Sequence, residues 1–210
     1  MTTFQTPAPI ALSVDVPSGS VQIIASDRSD TVVQVRPANP ADKDDVRAAK
    51  QIKVDFSAGT LTVKTPKSWR TYSPFGGNAA IEVVIEAPTG SRLEATLAMG
   101  RLLASGAFDG SDLEVSCGDI IVDSPRGAVT ARTAKGDIRV GDAADGVLRL
   151  ETSMGELEVG VHPGSAVQLE TNTQHGSVRN QLAPVAADAG TVQVHARNSY
   201  GNIIVHHSAA

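Results

Sequence analysis

The sequence predicts an all-β fold, a parallel β-solenoid in which strand pairs stack as rungs of 18–19 residues, with one short helix in the N-terminal third. Two observations favour this architecture. A glycine, one polar residue and an alternating apolar strand recur in that order, and a second alternating strand leads into each glycine. The clearest copies are at Gly100, Gly118, Gly136, Gly155, Gly176 and Gly201, with successive separations of 18, 18, 19, 21 and 25 residues.

The strands that lead into these glycines alternate apolar and polar residues, which is the two-residue period of a strand with one buried face. The first apolar residue precedes the glycine by seven residues for Val129 and Gly136, and by nine for Val167 and Gly176. Because the difference is even, the apolar side chains of both strands stay on the same face. We therefore interpret the longer copies as turn variation on one constrained core.

The N-terminal part of the chain is less regular. Looser copies of the pattern surround Gly19 and Gly59. The segment from Pro40 to Lys50 predicts a short helix, because its acidic residues come early and its basic residues come late. We predict a single β-repeat domain over residues 1–210, with an irregular β part over 1–90, a short helix near 40–50, and a regular repeat array over 91–207.

An antiparallel β-sandwich or meander is the alternative fold, since a turn such as the one before Gly136 is short enough to close a hairpin. The solenoid is favoured because equivalent residues keep their character from copy to copy, as stacking in columns requires. A solenoid has two ends, where unpaired backbone groups invite association. We expect the N-terminal third to cap one end and the polar tail after Val205 to be a weak cap for the other.

Two features of the sequence resemble a known family. They are the repeated glycine, polar, aliphatic strand starts joined by strands such as Leu148-Arg149-Leu150-Glu151-Thr152, and the preceding segment Val83-Val84-Ile85-Glu86-Ala87-Pro88-Thr89-Gly90-Ser91. Both are similar to the adhesin-like toastrack family of bacterial β-strand repeats, most firmly over residues 80–207. The resemblance implies a stacked β fold of unknown function, with adhesion, envelope-stress sensing and scaffolding proposed for relatives. It carries over no catalytic residue.

Composition excludes several classes of function. The net charge of -5 and the scattered 18 Lys and Arg residues argue against nucleic acid, which needs a concentrated basic face. The single cysteine, Cys117, excludes an internal disulfide framework. Aromatic residues make up 3%, few for a carbohydrate-stacking surface, so carbohydrate is a weak candidate partner. With no predicted signal segment or membrane span, we expect a cytoplasmic protein with no direct membrane insertion.

A column of acidic residues is a weak candidate metal site. Asp119, Asp137 and Glu156 each follow a repeat glycine, so stacking places them on one edge at the strand spacing of about 4.8 Å. Stacked carboxylates are ligands for divalent cations. The following copies carry Ser177 and Asn202 at this position, however, which is typical of turns rather than of metal sites. We therefore predict no metal, no cofactor and no catalytic residue.

An aromatic and basic cluster is the preferred candidate contact surface. Trp69, Arg70, Tyr72 and Phe75 lie in the least repeat-like stretch of the chain. Exposed aromatic residues together with arginine are frequent anchors of protein interfaces. The alternative is that Trp69 folds back and plugs an open end of the solenoid.

The predicted function is that of a noncatalytic β-repeat scaffold or interaction protein, adhesin-like, with a protein partner or self-association. One alternative is a β-helix that binds polysaccharide with the help of a cation held by the acidic column. Another is a cytoplasmic accessory or sensor subunit of a membrane-associated system. The acidic column motivates the former alternative, and the aromatic cluster motivates the latter.

Overall fold

The computed structural model describes residues 1–66, 79–183 and 190–208. This part of the chain contains sixteen strands and one helix, which confirms the mostly β prediction with a short helix in the N-terminal third. The elements in chain order are β1 Thr2–Gln5, β2 Ala11–Ser26, β3 Asp30–Pro37, α1 Lys43–Gln51, β4 Lys53–Ser57, β5 Thr60–Lys64, β6 Ile81–Pro88, β7 Arg92–Ser105, β8 Gly110–Asp123, β9 Ala128–Lys135, β10 Ile138–Ala143, β11 Gly146–Met154, β12 Leu157–Val161, β13 Ala166–His175, β14 Val178–Asn180, β15 Thr191–Tyr200 and β16 Ile203–His207.

The strands form one open sheet with two flanks that share the long strands β2, β7 and β8. The first flank has the order β4-β5-β2-β7-β8-β9-β11-β15-β13. The second flank has the order β1-β3-β6-β2-β7-β8-β10-β12-β16-β14. Each rung therefore supplies one strand segment to each flank and bends between them.

Pairing between rungs that lie next to each other in the array is parallel, as the predicted solenoid requires. Ile138 of β10 pairs with Ile120 of β8 on one side and with Leu157 of β12 on the other. In the described part of the chain, antiparallel pairing occurs between β1 and β3, β3 and β6, and β4 and β5. The antiparallel sandwich considered from the sequence is thus not the arrangement of the array.

A ladder of glycines marks the bend between the two flanks. Gly100, Gly118 and Gly136 stack on one another, with φ angles of +134°, +141° and +145°. A Cβ placed on Gly118 would lie 1.7 Å from the carbonyl oxygen of Gly100, and one on Gly136 would lie 2.0 Å from that of Gly118. The bend therefore needs glycine both for its backbone conformation and for the close approach of neighbouring rungs.

The rungs do not stack in the order of the sequence. β15 pairs with β11 on one side and with β13 on the other, and β16 lies in the same way between β12 and β14. The glycine ladder follows the same order, because Gly201 packs on Gly155 and Gly176 packs on Gly201. The expectation that the rung ending near Val205 forms the open end is therefore wrong. Val205 is fully buried, and the rung β13–β14 forms that end.

The core consists of inward side chains from both flanks and is almost entirely aliphatic. In β8, Leu113 and Val115 face inward before the bend, and Ile120 and Val122 face inward after it. Three of these four side chains are fully buried, and Val122 is 2% exposed. Burial of such columns in every rung is the main stabilising contribution to this fold.

Helix α1 is attached to the sheet by a buried carboxylate. Asp42 caps the helix by accepting a hydrogen bond from the Asp44 amide at 2.8 Å. Asp45, which is 7% exposed, accepts hydrogen bonds from the backbone amides of Asn39 at 2.9 Å and Ala80 at 2.7 Å. The second bond ties the helix to the residues just before β6. Within the described residues, no helix is long and apolar enough to cross a bilayer.

We expect Asp45→Ala to lower the free energy of unfolding by about 1–3 kcal/mol, because two amide groups lose their acceptor. Urea denaturation measures this effect. The matched control is Asp44→Ala in the same helical turn, whose exposed ion pair with Arg47 is worth at most about 0.5 kcal/mol. Equal effects of the two substitutions would contradict the role assigned to Asp45.

Candidate interaction surface

The rung β13–β14 is the exposed end of the described array. Val167 and Leu169 point inward but are only partly buried, whereas Val192 and Val194, their register partners in β15, are fully buried. Val178 of β14 is 43% exposed. The end rung thus exposes an apolar surface. In every other rung of the array, a neighbouring rung covers the equivalent surface.

The outer edge of β13 presents backbone groups that have no partner among residues 1–66, 79–183 and 190–208. The amide of Ala166 donates to the carbonyl of Gly190 at 2.8 Å, which fixes the side of the strand that faces β15. Because backbone groups of successive strand residues point alternately to the two sides, those of Leu169 and Thr171 point away from β15. These positions can accept or donate hydrogen bonds to an added strand.

β13 lacks the features that usually protect an edge strand. Its ten residues, AVQLETNTQH, contain no lysine, arginine or proline, and no charged side chain points inward. Ala166 to Thr173 pair continuously with Thr191 to Asn198, so the strand is extended and regular. Two inward positions, Thr171 and Thr173, are polar, which lowers the apolar surface of the end rung without blocking its hydrogen-bonding edge.

The outer face next to this edge carries one small charge network. Glu170 lies 2.9 Å from Nδ1 of His195 and 3.5 Å from Nη2 of Arg197. The hydrogen bond from His195, supported by its charge and by Arg197, lowers the pKa of Glu170 below its usual value. Glu170 therefore remains ionised down to lower pH than a free carboxylate. Beside this network, the rings of His175 and Tyr200 stack with centroids 4.7 Å apart.

The acidic column predicted from the sequence is present and takes part in hydrogen bonding between rungs. Oδ1 of Asp119 accepts from the amide of Asp137 at 3.1 Å, and Oδ1 of Asp137 accepts from the amide of Glu156 at 2.9 Å. In the next rung, the side-chain amide Nδ2 of Asn202 donates to Oε2 of Glu156 at 3.3 Å. The described residues contain no group of three or more His, Cys, Asp or Glu side chains placed to hold a metal ion. The arrangement stabilises the bend.

The aromatic cluster predicted from the sequence lies outside the residues that the structure describes, whereas the exposed end rung lies within them. Trp69, Arg70, Tyr72 and Phe75 lie outside the described residues, so their role as a contact surface stays a prediction. The repeat pattern of the sequence does not identify β13–β14 as an exposed end. The available signal was the change to polar residues at Thr171 and Asn180, whose register partners in the neighbouring rung, Ala196 and Val205, are buried and apolar.

A comparison with protein-family models gives a match that includes the bend and the end rung of the array. The model described as Toastrack DUF4097 matches residues 10–206. The chain belongs to the Toastrack family. This family has a β-solenoid-like fold, in agreement with the parallel rungs and the open sheet seen here. A search of curated proteins found no match.

Solved structures of bacterial proteins are similar to this Toastrack chain. A "putative cell adhesion protein" from Clostridium sporogenes is 12% identical, with a TM-score of 0.61 and 98% of each chain covered. A "putative adhesin" from Bacteroides fragilis is 13% identical, with a TM-score of 0.46 and coverage of 97% of this chain and 95% of the other. The first similarity supports the fold, and at this identity it supports nothing further about either protein.

Proposed function

We propose that this Toastrack chain is a noncatalytic interaction protein that binds an extended protein strand along the outer edge of β13. The observation that carries the proposal is the exposed, regular and unprotected edge of the end rung. Adding a strand to a sheet edge is a recurrent mode of protein recognition, in which backbone hydrogen bonds supply affinity and neighbouring side chains supply specificity. The name "putative cell adhesion protein" given to a solved structure of the same fold is consistent with a binding role.

The chemistry of the edge suits a polypeptide better than a sugar. The outward backbone groups of Leu169 and Thr171 repeat at the spacing of an extended chain. The partly buried side chains of Val167 and Leu169 offer apolar contacts to inward side chains of an added strand. The acidic column, which motivated the polysaccharide alternative, has carboxylates that already accept hydrogen bonds from backbone amides.

The test is binding of a fluorescein-labelled peptide with the sequence of β15, TVQVHARNSY, which is the strand that already pairs with β13 in the fold. We expect the wild-type chain to bind it in fluorescence anisotropy titrations. Thr171→Lys should weaken binding at least about tenfold, because an inward-pointing lysine on an edge strand opposes the addition of a strand.

The matched control is Thr96→Lys, which makes the same change at an exposed position on the central strand β7. It should leave the anisotropy titration unchanged. A second variant, Thr171→Pro, removes an outward amide without breaking the pairing with β15 and should also weaken binding. If the wild type fails to bind the peptide at dilutions where the chain is monomeric, or if both Thr171 variants bind it as tightly as the wild type, the proposal is wrong.

A further inference from the structure

We infer that the strand which completes this edge is β13 of a second copy of the same chain, in a twofold symmetric antiparallel pair. This inference rests on the proposed function, because it assigns a specific partner to the same edge. Three features favour this pair: the self-complementarity of the β13 sequence, the apolar surface that pairing would cover, and the protected edge at the other end of the first flank.

The β13 sequence is compatible with itself in one antiparallel register centred on Thr171. Glu170 then lies opposite Asn172 of the second copy, so no like charges face each other. A register centred on Glu170 would place two carboxylates directly opposite, which is destabilising. The complete set of pairs in the favoured register is Thr171 with Thr171, Glu170 with Asn172, Leu169 with Thr173, Gln168 with Gln174 and Val167 with His175.

Pairing would also cover apolar surface at the end rung. A twofold axis perpendicular to the first flank keeps the inward face of both copies on the same side. The inward side chains of the two end rungs then form one continuous layer. Val167 and Leu169, which are partly buried in the single chain, gain neighbours on their open side, which in the favoured register are His175 and Thr173 of the second copy.

The opposite end of the first flank is unsuited to the same contact. Its edge strand, β4, belongs to an antiparallel hairpin with β5 and exposes Lys53 and Asp55. Charged side chains on a short edge strand are a common protection against strand addition. Since the two ends differ, a closed dimer through β13 is favoured over a head-to-tail filament.

The first measurement is the solution mass of the full chain by light scattering, from dilute to concentrated solutions. We expect the mass to rise from that of one chain, 21.7 kDa, to twice that value. Thr171→Lys and Thr171→Pro should remain at the mass of one chain at concentrations where the wild type and Thr96→Lys are dimeric. Dimers that persist in both Thr171 variants would overturn the inference.

The second measurement distinguishes the twofold pair from a filament. A spin label at Glu151→Cys, in a chain that also carries Cys117→Ser, reports the distance between two copies of β11. β11 is two strands from β13, so the twofold pair predicts five strand spacings and a small lateral offset, about 25 Å between backbones. Head-to-tail stacking of nine-stranded flanks predicts about 43 Å instead, and that distance would overturn the twofold pair.

The two proposals can fail separately. A chain that stays monomeric at every concentration but binds the β15 peptide in a Thr171-dependent way would overturn the second-copy inference and leave strand binding intact. A chain that neither dimerises nor binds the peptide would overturn both. A dimer whose mass and label distance are unaffected by the Thr171 variants would place the contact elsewhere on the molecule and contradict the assignment to β13.

Discussion

Replacing Gly118 by alanine is expected to destabilise the protein strongly. The new Cβ would lie 1.7 Å from the carbonyl oxygen of Gly100, well inside any possible contact distance, and the neighbour is backbone that cannot rotate away. The φ angle of +141° adds strain for any residue with a side chain. We expect a loss of at least about 3 kcal/mol in the free energy of unfolding, measured by chemical denaturation, or failure to fold.

The control for this substitution is Gly59→Ala in the turn between β4 and β5. Gly59 also has a positive φ, +75°, but an added Cβ would meet no atom within 4 Å. It should therefore cost only the conformational penalty of about 1 kcal/mol. If the two substitutions lowered the free energy of unfolding by similar amounts, the close contact between glycines of neighbouring rungs would contribute little to stability, which would contradict this prediction.

Shortening Leu148 to alanine is the second change with a large expected effect. Leu148 is fully buried in β11, with Val129 of β9 on one side and Val194 of β15 on the other. Removing its side chain leaves a cavity between two rungs and should lower the free energy of unfolding by about 2–5 kcal/mol. Thermal or chemical denaturation of the variant gives this value directly.

The matched substitution is Leu169→Ala in the same column, measured at dilutions where the chain is monomeric. Leu169 lies in the end rung, with Val194 as its register partner and no further rung beyond it among the described residues. Its loss should cost about 1 kcal/mol or less. If the rungs stacked in sequence order, Leu169 would lie between Leu148 and Val194, and the two substitutions would have similar effects. The comparison therefore tests the exchanged order of the last two rungs.

The sequence predicts the nature of the rungs well because their requirements are local. Recurrent glycines mark the bends, since close stacking and positive φ exclude other residues at these positions. Apolar alternation identifies the inward side chains of strands such as β8 and β11. The early acidic residues and Lys50 locate the helix, observed at Lys43–Gln51. Each of these signals is contained within a few consecutive residues.

The order of the rungs is harder to predict because every rung has the same inward alternation. Parallel strands with aliphatic inward faces can stack on one another in any order that the connections allow. The connection from β14 to β15 comprises residues 181–190, which is long enough for β15 to be placed between β13 and β11. For the same reason the exposed edge of β13, the centre of the proposed function, was not apparent from the repeat alone.

The exchanged order has a consequence for how the protein is made. Residues 166–180 emerge from the ribosome before residues 191–207, yet all native strand pairs that they form in the described structure are with that later segment. The array therefore cannot be completed by adding each new rung to the one synthesised just before it. Until residues 191–207 have been synthesised, β13 and β14 have no native partner strand on either edge. During that time they can pair with β11 and β12 in a non-native order.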